Sequence, residues 1–498
     1  MTKLLQEFSK WLKKVTGYEE STGELGSDPK AEVKLAQPIK TEARSPLIQK
    51  KRGKVNIQVG LDFGTSATKI MYSQLGRRGT KIVRFNHSLP NYPSFCLPSV
   101  AAINDQGCLI LGIEAANYLL NKEWDIGFQR FKVIVAGNHD HNFLDRVSSE
   151  KFYEYRQAHR LDETFTAERL TALYLAHVIK KTRNIISDYP EYRDMEIDMA
   201  FNICIPIDHI QNSLVKAEFE KIFLWAENIE GLGRAEDAEF DIIEASYQLE
   251  NKPFENERRV HSVPEAVASF ASYLISLRRQ EGLHAVIDMG AGTTDISICN
   301  LKDPYNESMS YWYAARNIPY GTIVTERLIA GQLKKEKSEC TCHKIFNCLN
   351  NMSGNYNEMQ KEMARELKQF KDSKEYVKTW GMAYGHLAGT SLWEKVEVFL
   401  SGGGAYLPAA RDVFSEPWIK LTEGQSDRKV KYNVSPLPTP DDFNDAATGA
   451  PFGRMAVAYG LTRPIPVLSE YVLPNDSPDH TPVRIRKVLP DRDDLYPK

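Results

Sequence analysis

Two short stretches of the sequence share one pattern, and this repeat constrains the fold more than any other feature. Residues 59–72 read VGLDFGTSATKIMY, and residues 285–298 read AVIDMGAGTTDISI. Each begins as an apolar strand, carries an aspartate (Asp62 or Asp288) two residues before a glycine, and continues with small hydroxyl residues. We interpret the pair as an internal duplication, which predicts two related half-domains that each present the same turn.

Each turn has the composition of a phosphate-binding loop. Glycine lets the backbone approach a ligand closely, and successive backbone N–H groups in a tight turn attract anions. A carboxylate at the end of a buried strand is costly unless a hydrogen bond or a cation compensates it. Beside a polyphosphate, that cation would be hydrated Mg²⁺. The expected phosphate contacts are Gly64, Thr65, Ser66 and Thr68 in the first loop, and Gly290, Ala291, Gly292, Thr293 and Thr294 in the second.

The alternative for either loop alone is an ordinary hairpin rich in glycine and threonine, because short glycine-rich matches are weak signals. The matching aspartates favour the phosphate interpretation for the pair. The sequence contains neither the P-loop pattern that ends in Gly-Lys-Ser/Thr nor the dinucleotide pattern Gly-x-Gly-x-x-Gly. A nucleotide site in this chain would therefore be of another kind.

Length and composition limit the class of protein. The chain has 498 residues, enough for two or more domains. A net charge of −3 makes nucleic acid an unlikely main partner. Seven cysteines fit reduced thiols better than a disulfide framework, and no signal peptide or apolar run of roughly 20 residues is visible. These features predict a cytoplasmic protein.

Strand and helix patterns alternate from about residue 55 onward, which predicts an α/β architecture. Helices are expected at 167–186, 213–229, 264–280, 357–373 and 452–462, where apolar residues recur three and four apart. The predicted organisation is an amphipathic basic helix (1–16), a flexible linker (17–54), a first lobe (55–250), a second lobe (251–466) with an insertion around 325–395, and an extended proline-rich tail (467–498).

Five motifs together resemble the actin-like ATPase superfamily, which includes actins, seventy-kilodalton heat-shock chaperones and sugar kinases. LDFGTSATK and IDMGAGTTDIS resemble its two phosphate loops, VFLSGGGAYLPAARDVF its adenosine motif, SVPEAVASF its first connecting helix and FGRMAVAYGL its closing helix. They follow the family's order over roughly residues 55–466. The resemblance implies a two-lobed actin-like fold built from duplicated ribonuclease-H-like domains with inserted subdomains, which would hold ATP and Mg²⁺ between the lobes.

The resemblance also implies roles for individual residues. Asp62 would hold Mg²⁺ through water, and Asp288, also linked to Mg²⁺ through water, would orient or deprotonate the attacking water. Lys132 would offset charge on the γ-phosphoryl group, and Glu265 would contact water or Mg²⁺. The alternative for Lys132 is a solvated surface residue. The alternative for Glu265 is a residue at the start of a helix, where its charge stabilises the helix dipole. Further nucleotide contacts are expected from Gly321, Gly402, Gly403, Gly404, Ala405 and Arg454, and more loosely from Glu362 and Arg365.

Two departures from the chaperone pattern stand out. The acid at the connecting helix follows the proline, in Ser262-Val263-Pro264-Glu265, which is similar to plasmid-segregation actins. Arg454 stands where chaperones usually have aspartate, so the contacts on the adenine side differ from theirs.

Two functions follow from the resemblance. The first is a slowly hydrolysing ATPase switch, similar to the heat-shock chaperones but without a substrate-binding domain, that controls a partner protein through lobe closure. The second is a polymerising protein similar to bacterial cytoskeletal or segregation actins, gated by ATP. The basic helix at 1–16 could bind an anionic membrane surface, and a partner-docking helix or one that folds back on the body is the alternative.

The stretch SECTCHKIFNCLNN at 338–351 is a candidate metal site. Thiolate and imidazole groups are common zinc ligands, but the spacing lacks a paired Cys-x-x-Cys. The alternative is an exposed loop in the insertion of the second lobe. The candidate ligands are Cys340, Cys342, His343 and Cys348.

Overall fold

The computed structural model describes the parts of the chain that form three sheets and the helices beside them. The described residues are 53–89, 92–120, 122, 127–139, 146–206, 212–231, 260–301, 310–318, 321, 396–406, 414–415, 432–443, 451–464 and 471–473. No helix in these ranges has both the length and the apolar character needed to cross a membrane. The helices predicted within 1–16 and 357–373, the predicted linker up to residue 52 and most of the predicted tail lie outside them.

Strands and helices alternate through the described residues. The strands are β1 (Gly53–Phe63), β2 (Ala67–Gln74), β3 (Thr80–Ile82), β4 (Cys96–Pro98), β5 (Val100–Ile103), β6 (Leu109–Leu111), β7 (Phe128–Gln129), β8 (Met195–Ile205), β9 (Val260–Pro264), β10 (Gly282–Met289), β11 (Thr294–Leu301), β12 (Ser310–Ile318), β13 (Glu397–Ser401), β14 (Asn433–Pro436) and β15 (Tyr471–Val472). The helices are α1 (Gly112–Leu119), α2 (Phe131–His139), α3 (Arg146–Ala158), α4 (Ala167–Asp188), α5 (Ser213–Gly231), α6 (Glu265–Leu274) and α7 (Phe452–Leu461), with a 3₁₀ turn at Gly403–Tyr406. The predicted α/β class is confirmed.

The two larger sheets share one strand topology. The first has the order β3-β2-β1-β8-β9, with β4 also paired to β2, and the second contains the order β12-β11-β10-β13-β14, with β15 beside β12. In each sheet, an antiparallel hairpin (β1–β2 or β10–β11) is flanked on one side by two parallel strands. This equivalence supports the duplication that the repeated sequence pattern predicts. A third sheet, β6-β5-β7, is smaller.

Successive side chains of a strand point to opposite faces of the sheet, so alternate residues of β1 and of β10 lie on the same face. The apolar residues of β1 from Val55 to Phe63 that alternate along one face pack in a cluster with α4 and α5. Alternate residues of β10, from Leu283 to Met289, likewise fill a cluster of their own. Asp62 and Asp288 lie on the opposite faces, which explains how a buried-looking strand can carry a carboxylate at its end.

Two helices are exchanged between the sheets. Helix α6 follows β9 of the first sheet, yet its Phe270 ring lies 6.1 Å from Trp312 of β12 and its Tyr273 ring 4.7 Å from Phe399 of β13. Helix α7 follows β14 of the second sheet, yet it lies on β1 and β2. The side chain of Asn202 on β8 donates to the carbonyl of Leu461, the last residue of α7, at 2.9 Å. Each sheet is therefore covered on this face by a helix from the other half of the chain.

Glycines allow these elements to approach at backbone distance. A Cβ at Gly60 of β1 would lie 2.7 Å from the Cβ of Leu461 and would also meet the carbonyl oxygen of Ala458. A Cβ at Gly460 of α7 would lie 2.6 Å from the carbonyl carbon of Ala268 on α6. Contacts this short leave no room for a side chain, so α6, α7 and β1 are packed directly on one another.

Several element predictions can be compared directly with the structure. The helices predicted at 167–186, 213–229 and 452–462 are confirmed as α4, α5 and α7. The helix predicted at 264–280 ends at Leu274, whose carbonyl accepts a hydrogen bond from Arg279 Nη1 at 2.7 Å, and Leu277 beyond it is 94% exposed. Strand β9 pairs with β8 of the first sheet, although the boundary predicted at residues 250 and 251 places it in the second lobe.

A buried histidine in this core should make the fold sensitive to acid. Burial lowers the pKa of His284 to about 4, from about 6.5 in an unfolded chain. The unfolded state therefore binds more protons than the folded state between these values, and stability is lost as the pH falls from about 6.5 to 4. The loss from this group is about 3 kcal/mol, and we expect His284→Gln to flatten the decline of the urea midpoint over that range.

The exposed His261 provides the matched control for this measurement. His261→Gln should leave the pH dependence of the urea midpoint as it is in the unchanged protein. If the urea midpoint of the His284→Gln variant declined with falling pH as steeply as that of the unchanged protein, the buried imidazole would not be responsible for the acid sensitivity.

Candidate functional site

The first loop, residues 64–66, joins β1 to β2 and is held by a serine from a neighbouring segment. Ser99 Oγ donates to the carbonyl of Gly64 at 2.8 Å, and the Ser99 N–H donates to the carbonyl of Ser66 at 2.9 Å. A Cβ at Gly64 would lie 2.5 Å from the carbonyl oxygen of Ala67, so the tight turn requires glycine. The Thr65 side chain, on the same loop, reaches toward the second loop, as described below.

Thr68 supports the first loop from inside. Its residue is fully buried, its hydroxyl accepts a hydrogen bond from Tyr174 OH at 3.0 Å, and Ser99 Oγ lies 3.4 Å away. This hydroxyl therefore takes part in an internal network, and its contact with a phosphate stays a prediction. Thr294, at the matching position of β11, is also fully buried.

The second loop, residues 290–293, lies directly against the first. It is closed by a hydrogen bond from the Gly290 N–H to the Thr293 carbonyl at 2.9 Å. A Cβ at Gly292 would lie 2.7 Å from Thr65 Cγ2, so a side chain there would force the Thr65 side chain to shift where the loops meet. Gly321 packs on the same loop, because a Cβ there would lie 2.6 Å from the Gly290 carbonyl oxygen. Ala291 and Thr293 remain partly exposed.

The turn after β13 reaches the same place. Gly402 has φ +79, and a Cβ there would lie 2.6 Å from Asp288 Oδ1. A Cβ at Gly404 would lie 3.1 Å from the Cβ of Met289, the last residue of β10. Gly403 is exposed, and its Cβ would approach nothing closer than Arg454 Nε at 4.0 Å. The turn thus has one open position between two packed ones, and Ala405 behind it is partly buried.

Arg454 lies on α7 beside this turn. Its Nη2 is 3.7 Å from the sulfur of Cys96, and its guanidinium carbon lies 5.5 Å from the centre of the Phe95 ring. Its contact with a nucleotide stays a prediction, and the geometry shows that this side chain bridges α7 and β4.

Cross-strand pairing brings charged residues together at the end of each hairpin. Asp62 is directly opposite Lys69 on β2, and the two side chains form an ion pair. Asp288 is directly opposite Asp295 on β11, and Asn317 Nδ2 donates to Asp295 Oδ1 at 2.8 Å. The duplicated hairpins therefore differ in charge, since one carries an acid and a base and the other carries two acids, which repel at this range.

The two acids of the second hairpin are difficult to ionise together. Burial, with the nearby carboxylates of Glu265 and Asp62, raises the pKa of Asp288 to about 7 against the opposing effect of Lys69. Burial, with Glu265 and Asp288, also holds the pKa of Asp295 well above its usual value. A cation at this place would relieve both shifts.

Lys132 and Glu265 enter the same cluster from two helices. Lys132 Nζ of α2 lies 3.6 Å from Glu265 Oε2, and 5.8 Å from the centre of the Phe63 ring. Burial favours the neutral amine, but Glu265 and further acids outweigh that effect and raise the pKa of Lys132. Glu265 is the first residue of α6, where its charge also stabilises the helix dipole. The lysine is largely buried, which argues against the alternative of a solvated surface residue.

The cluster contains more acidic than basic groups. Within the described residues it holds the four carboxyl groups and the two lysine ammonium groups named above, and these groups interact with one another. If a bound cation kept all of them ionised, the excess would be two negative charges, which one divalent cation would balance. Carboxylate oxygens are the ligands that Mg²⁺ prefers, so the residues present fit such an ion.

Three members of the cluster were not among the predicted site residues. Lys69 follows Asp62 along the chain at the same separation as Asp295 follows Asp288. Pairing the two strands of each repeat in register would therefore have revealed Lys69 and Asp295. Cys204, at the end of β8, has its sulfur 3.9 Å from Asp62 Oδ1. No motif in the local sequence distinguishes Cys204 from a core residue.

The structure brings together most of the predicted site residues. Glu362, Arg365 and the candidate zinc ligands Cys340, Cys342, His343 and Cys348 lie outside the described residues. No protein-family model matches the chain, and no curated protein matches it. The function is therefore argued from the site itself.

Proposed function

We propose that the chain is a Mg²⁺-dependent ATPase with an actin-like two-lobed fold, and that it acts as a slow switch on a partner protein. The observation that carries the proposal is the meeting of the two duplicated loops, where Gly292 packs on Thr65 beside buried aspartates from both sheets. Two glycine-rich loops that meet suit a polyphosphate, which needs donors from several directions. The charge excess of the cluster supports the accompanying cation.

The open side of the loops would take the phosphates. Gly64, Ser66, Ala291 and Thr293 are partly exposed, and their backbone N–H groups with the hydroxyls of Ser66 and Thr293 would donate to phosphate oxygens. Asp62, with Glu265, would hold the hydrated Mg²⁺ through its water molecules. When bound, Mg²⁺ would offset phosphate charge and keep the reacting groups in line.

Asp288 is the residue best suited to activate water. Its carboxyl group lies at the end of β10, just before the second loop, where it would orient the attacking water and accept its proton. Lys132 lies across the cluster and would stabilise negative charge that develops on the transferred phosphoryl group. Hydrolysis in this arrangement depends mainly on positioning and electrostatics, as in other phosphoryl transfers.

The exchanged helices support a switch. Because α6 and α7 each join one sheet to the other and cross at Gly460, a change in the angle between the sheets must be accommodated at that crossing. A ligand bound by loops from both sheets would favour the angle at which both loops reach it. Nucleotide state would thus be converted into lobe closure that a partner could sense.

Titration calorimetry with ATP, in the presence and absence of Mg²⁺, tests the proposal. We expect Gly403→Leu to weaken ATP binding at least about tenfold, or about 1.4 kcal/mol, because the new side chain enters the open position of the turn. The thermal midpoint should change little, since a Cβ at Gly403 meets no atom closer than 4.0 Å.

The control is Gly53→Leu at the exposed start of β1, where a Cβ would make an ordinary 3.5 Å contact with Met195 Sδ. Its ATP affinity should equal that of the unchanged protein. Failure of the unchanged protein to bind ATP with Mg²⁺ present would remove the proposed function, and equal affinity in the Gly403→Leu variant would remove the turn from the site.

A further inference from the structure

Three potential metal ligands meet at one edge of the first sheet. Asp62 ends β1, Cys204 lies at the end of β8, and Glu265 follows β9 directly. One ligand atom from each lies within 4.8 Å of the other two, and all three residues are buried. Among the described residues this is the one group of that kind.

The sheet places these side chains together. Strands β1, β8 and β9 are parallel neighbours, with Leu61 opposite Ile203 and Cys204 opposite Val263. The carboxyl ends of parallel strands share one edge, where ligands of open α/β sheets usually bind. The ligands are thus supplied by the rigid part of the fold.

We propose that Asp62, Cys204 and Glu265 form a binding site for a thiophilic divalent cation such as Zn²⁺, Co²⁺ or Cd²⁺. Zinc accepts thiolate and carboxylate ligands together, and sites with three protein ligands leave one position open for water or another ligand. Mg²⁺ prefers oxygen and does not select a thiol. Asp62 and Glu265 are also the residues proposed to hold hydrated Mg²⁺, so a thiophilic ion would compete with Mg²⁺ for them, and the Cys204 sulfur favours the thiophilic ion.

The geometry is compatible with such an ion. Metal–ligand bonds of about 2.0–2.3 Å place tetrahedral ligand atoms about 3.5 Å apart. The Cys204 sulfur and Asp62 Oδ1 are 3.9 Å apart, so small rotations of these side chains would suffice. A second observation points to a ligand: Glu265 Oε2 is buried and accepts no hydrogen bond within the described part of the chain, and Lys132 Nζ faces it at 3.6 Å.

Binding would exchange a proton for the metal. The S–H bond of Cys204 breaks, its electron pair forms the sulfur–metal bond, and the proton passes to the solvent. The first loop follows Asp62 and Phe63 directly in the chain and is partly exposed at Gly64 and Ser66.

Cobalt titration of the full chain tests the proposal, because a cobalt–thiolate bond gives a strong near-ultraviolet charge-transfer absorption. The parent for the test carries Cys340→Ser, Cys342→Ser and Cys348→Ser, which removes the other candidate thiolate ligands. We expect a band that saturates at about one equivalent of Co²⁺. Adding Cys204→Ser or Cys204→Ala should abolish it, and Glu265→Gln should weaken Co²⁺ binding on the order of tenfold or more.

Cys299→Ser is the matched control, since Cys299 is an equally buried thiol on β11 of the second sheet. This variant should keep the band. Absence of the band in the parent, or its persistence in both Cys204 variants, would overturn the proposal. Because no nucleotide is present, a cobalt–thiolate band in a protein that fails to bind ATP would reject the proposed ATPase and leave the metal site standing.

Discussion

Replacing Asp288 by asparagine should leave ATP binding intact and slow hydrolysis on the order of a hundredfold or more. The amide has nearly the same size, so the contact of Gly402 with this side chain and the pairing of β10 with β13 are preserved. The amide cannot take a proton from water, however, and it carries no charge to orient the water. Single-turnover hydrolysis measured together with titration calorimetry separates the two effects.

The same variant should be more stable at alkaline pH than the unchanged protein. The pKa of Asp288 is raised to about 7 in the folded state, above its unfolded value, so the ionised carboxylate costs stability as the pH rises through 7. Asparagine removes that cost. Asp105→Asn, at an exposed aspartate that accepts a hydrogen bond from Tyr118, is the control and should change neither hydrolysis nor this pH dependence. Unchanged turnover in Asp288→Asn would exclude Asp288 as the base.

Gly460→Val should lower the free energy of unfolding by about 3 kcal/mol or more. A Cβ at this position would lie 2.6 Å from the carbonyl carbon of Ala268, and backbone cannot move aside as a side chain can. The helices α6 and α7 would have to separate, and the cluster that they share with both sheets would open. Urea denaturation followed by circular dichroism measures the loss.

A graded pair of variants checks this explanation. Gly460→Ala should destabilise the protein less than Gly460→Val, even though alanine favours a helix over glycine by about 1 kcal/mol. Gly53→Ala, where a Cβ would make an ordinary 3.5 Å contact, should have little effect. A stabilised Gly460→Ala variant would mean that the helix crossing is looser than described.

The part of the fold that repeats along the chain was predictable, and the part that depends on distant contacts was not. The pattern shared by Asp62 and Asp288 predicted two equivalent turns, because strand, turn and strand are local features. The sheet that β9 joins, and the exchange of α6 and α7 between the sheets, depend on contacts between elements that lie far apart in the chain. Apolar periodicity shows that a helix has a buried face, but it does not show what covers that face.

The candidate site also combines features that are local in the sequence with features that depend on distant contacts. The nucleotide contacts predicted for Gly292, Gly402 and Thr68 stay predictions. The packing of Gly292 on the Thr65 side chain and of the Thr68 hydroxyl on Tyr174 depends on distant parts of the chain, so the local sequence does not reveal it. Cys204 was not identified because the two acids beside it lie on β1 and at the start of α6.

The exchanged helices also have a consequence for how the protein is made. During synthesis, β1, β2 and β8 leave the ribosome long before α7, which lies much later in the chain and covers one face of these three strands. Until α7 arrives, the face of this sheet that carries Met71 and Cys204 lacks the helix that packs on it, and incompletely covered sheets are prone to aggregate. We therefore expect the nascent chain to depend on holding chaperones until translation has passed the closing helix, and its maturation to be limited by that late docking step.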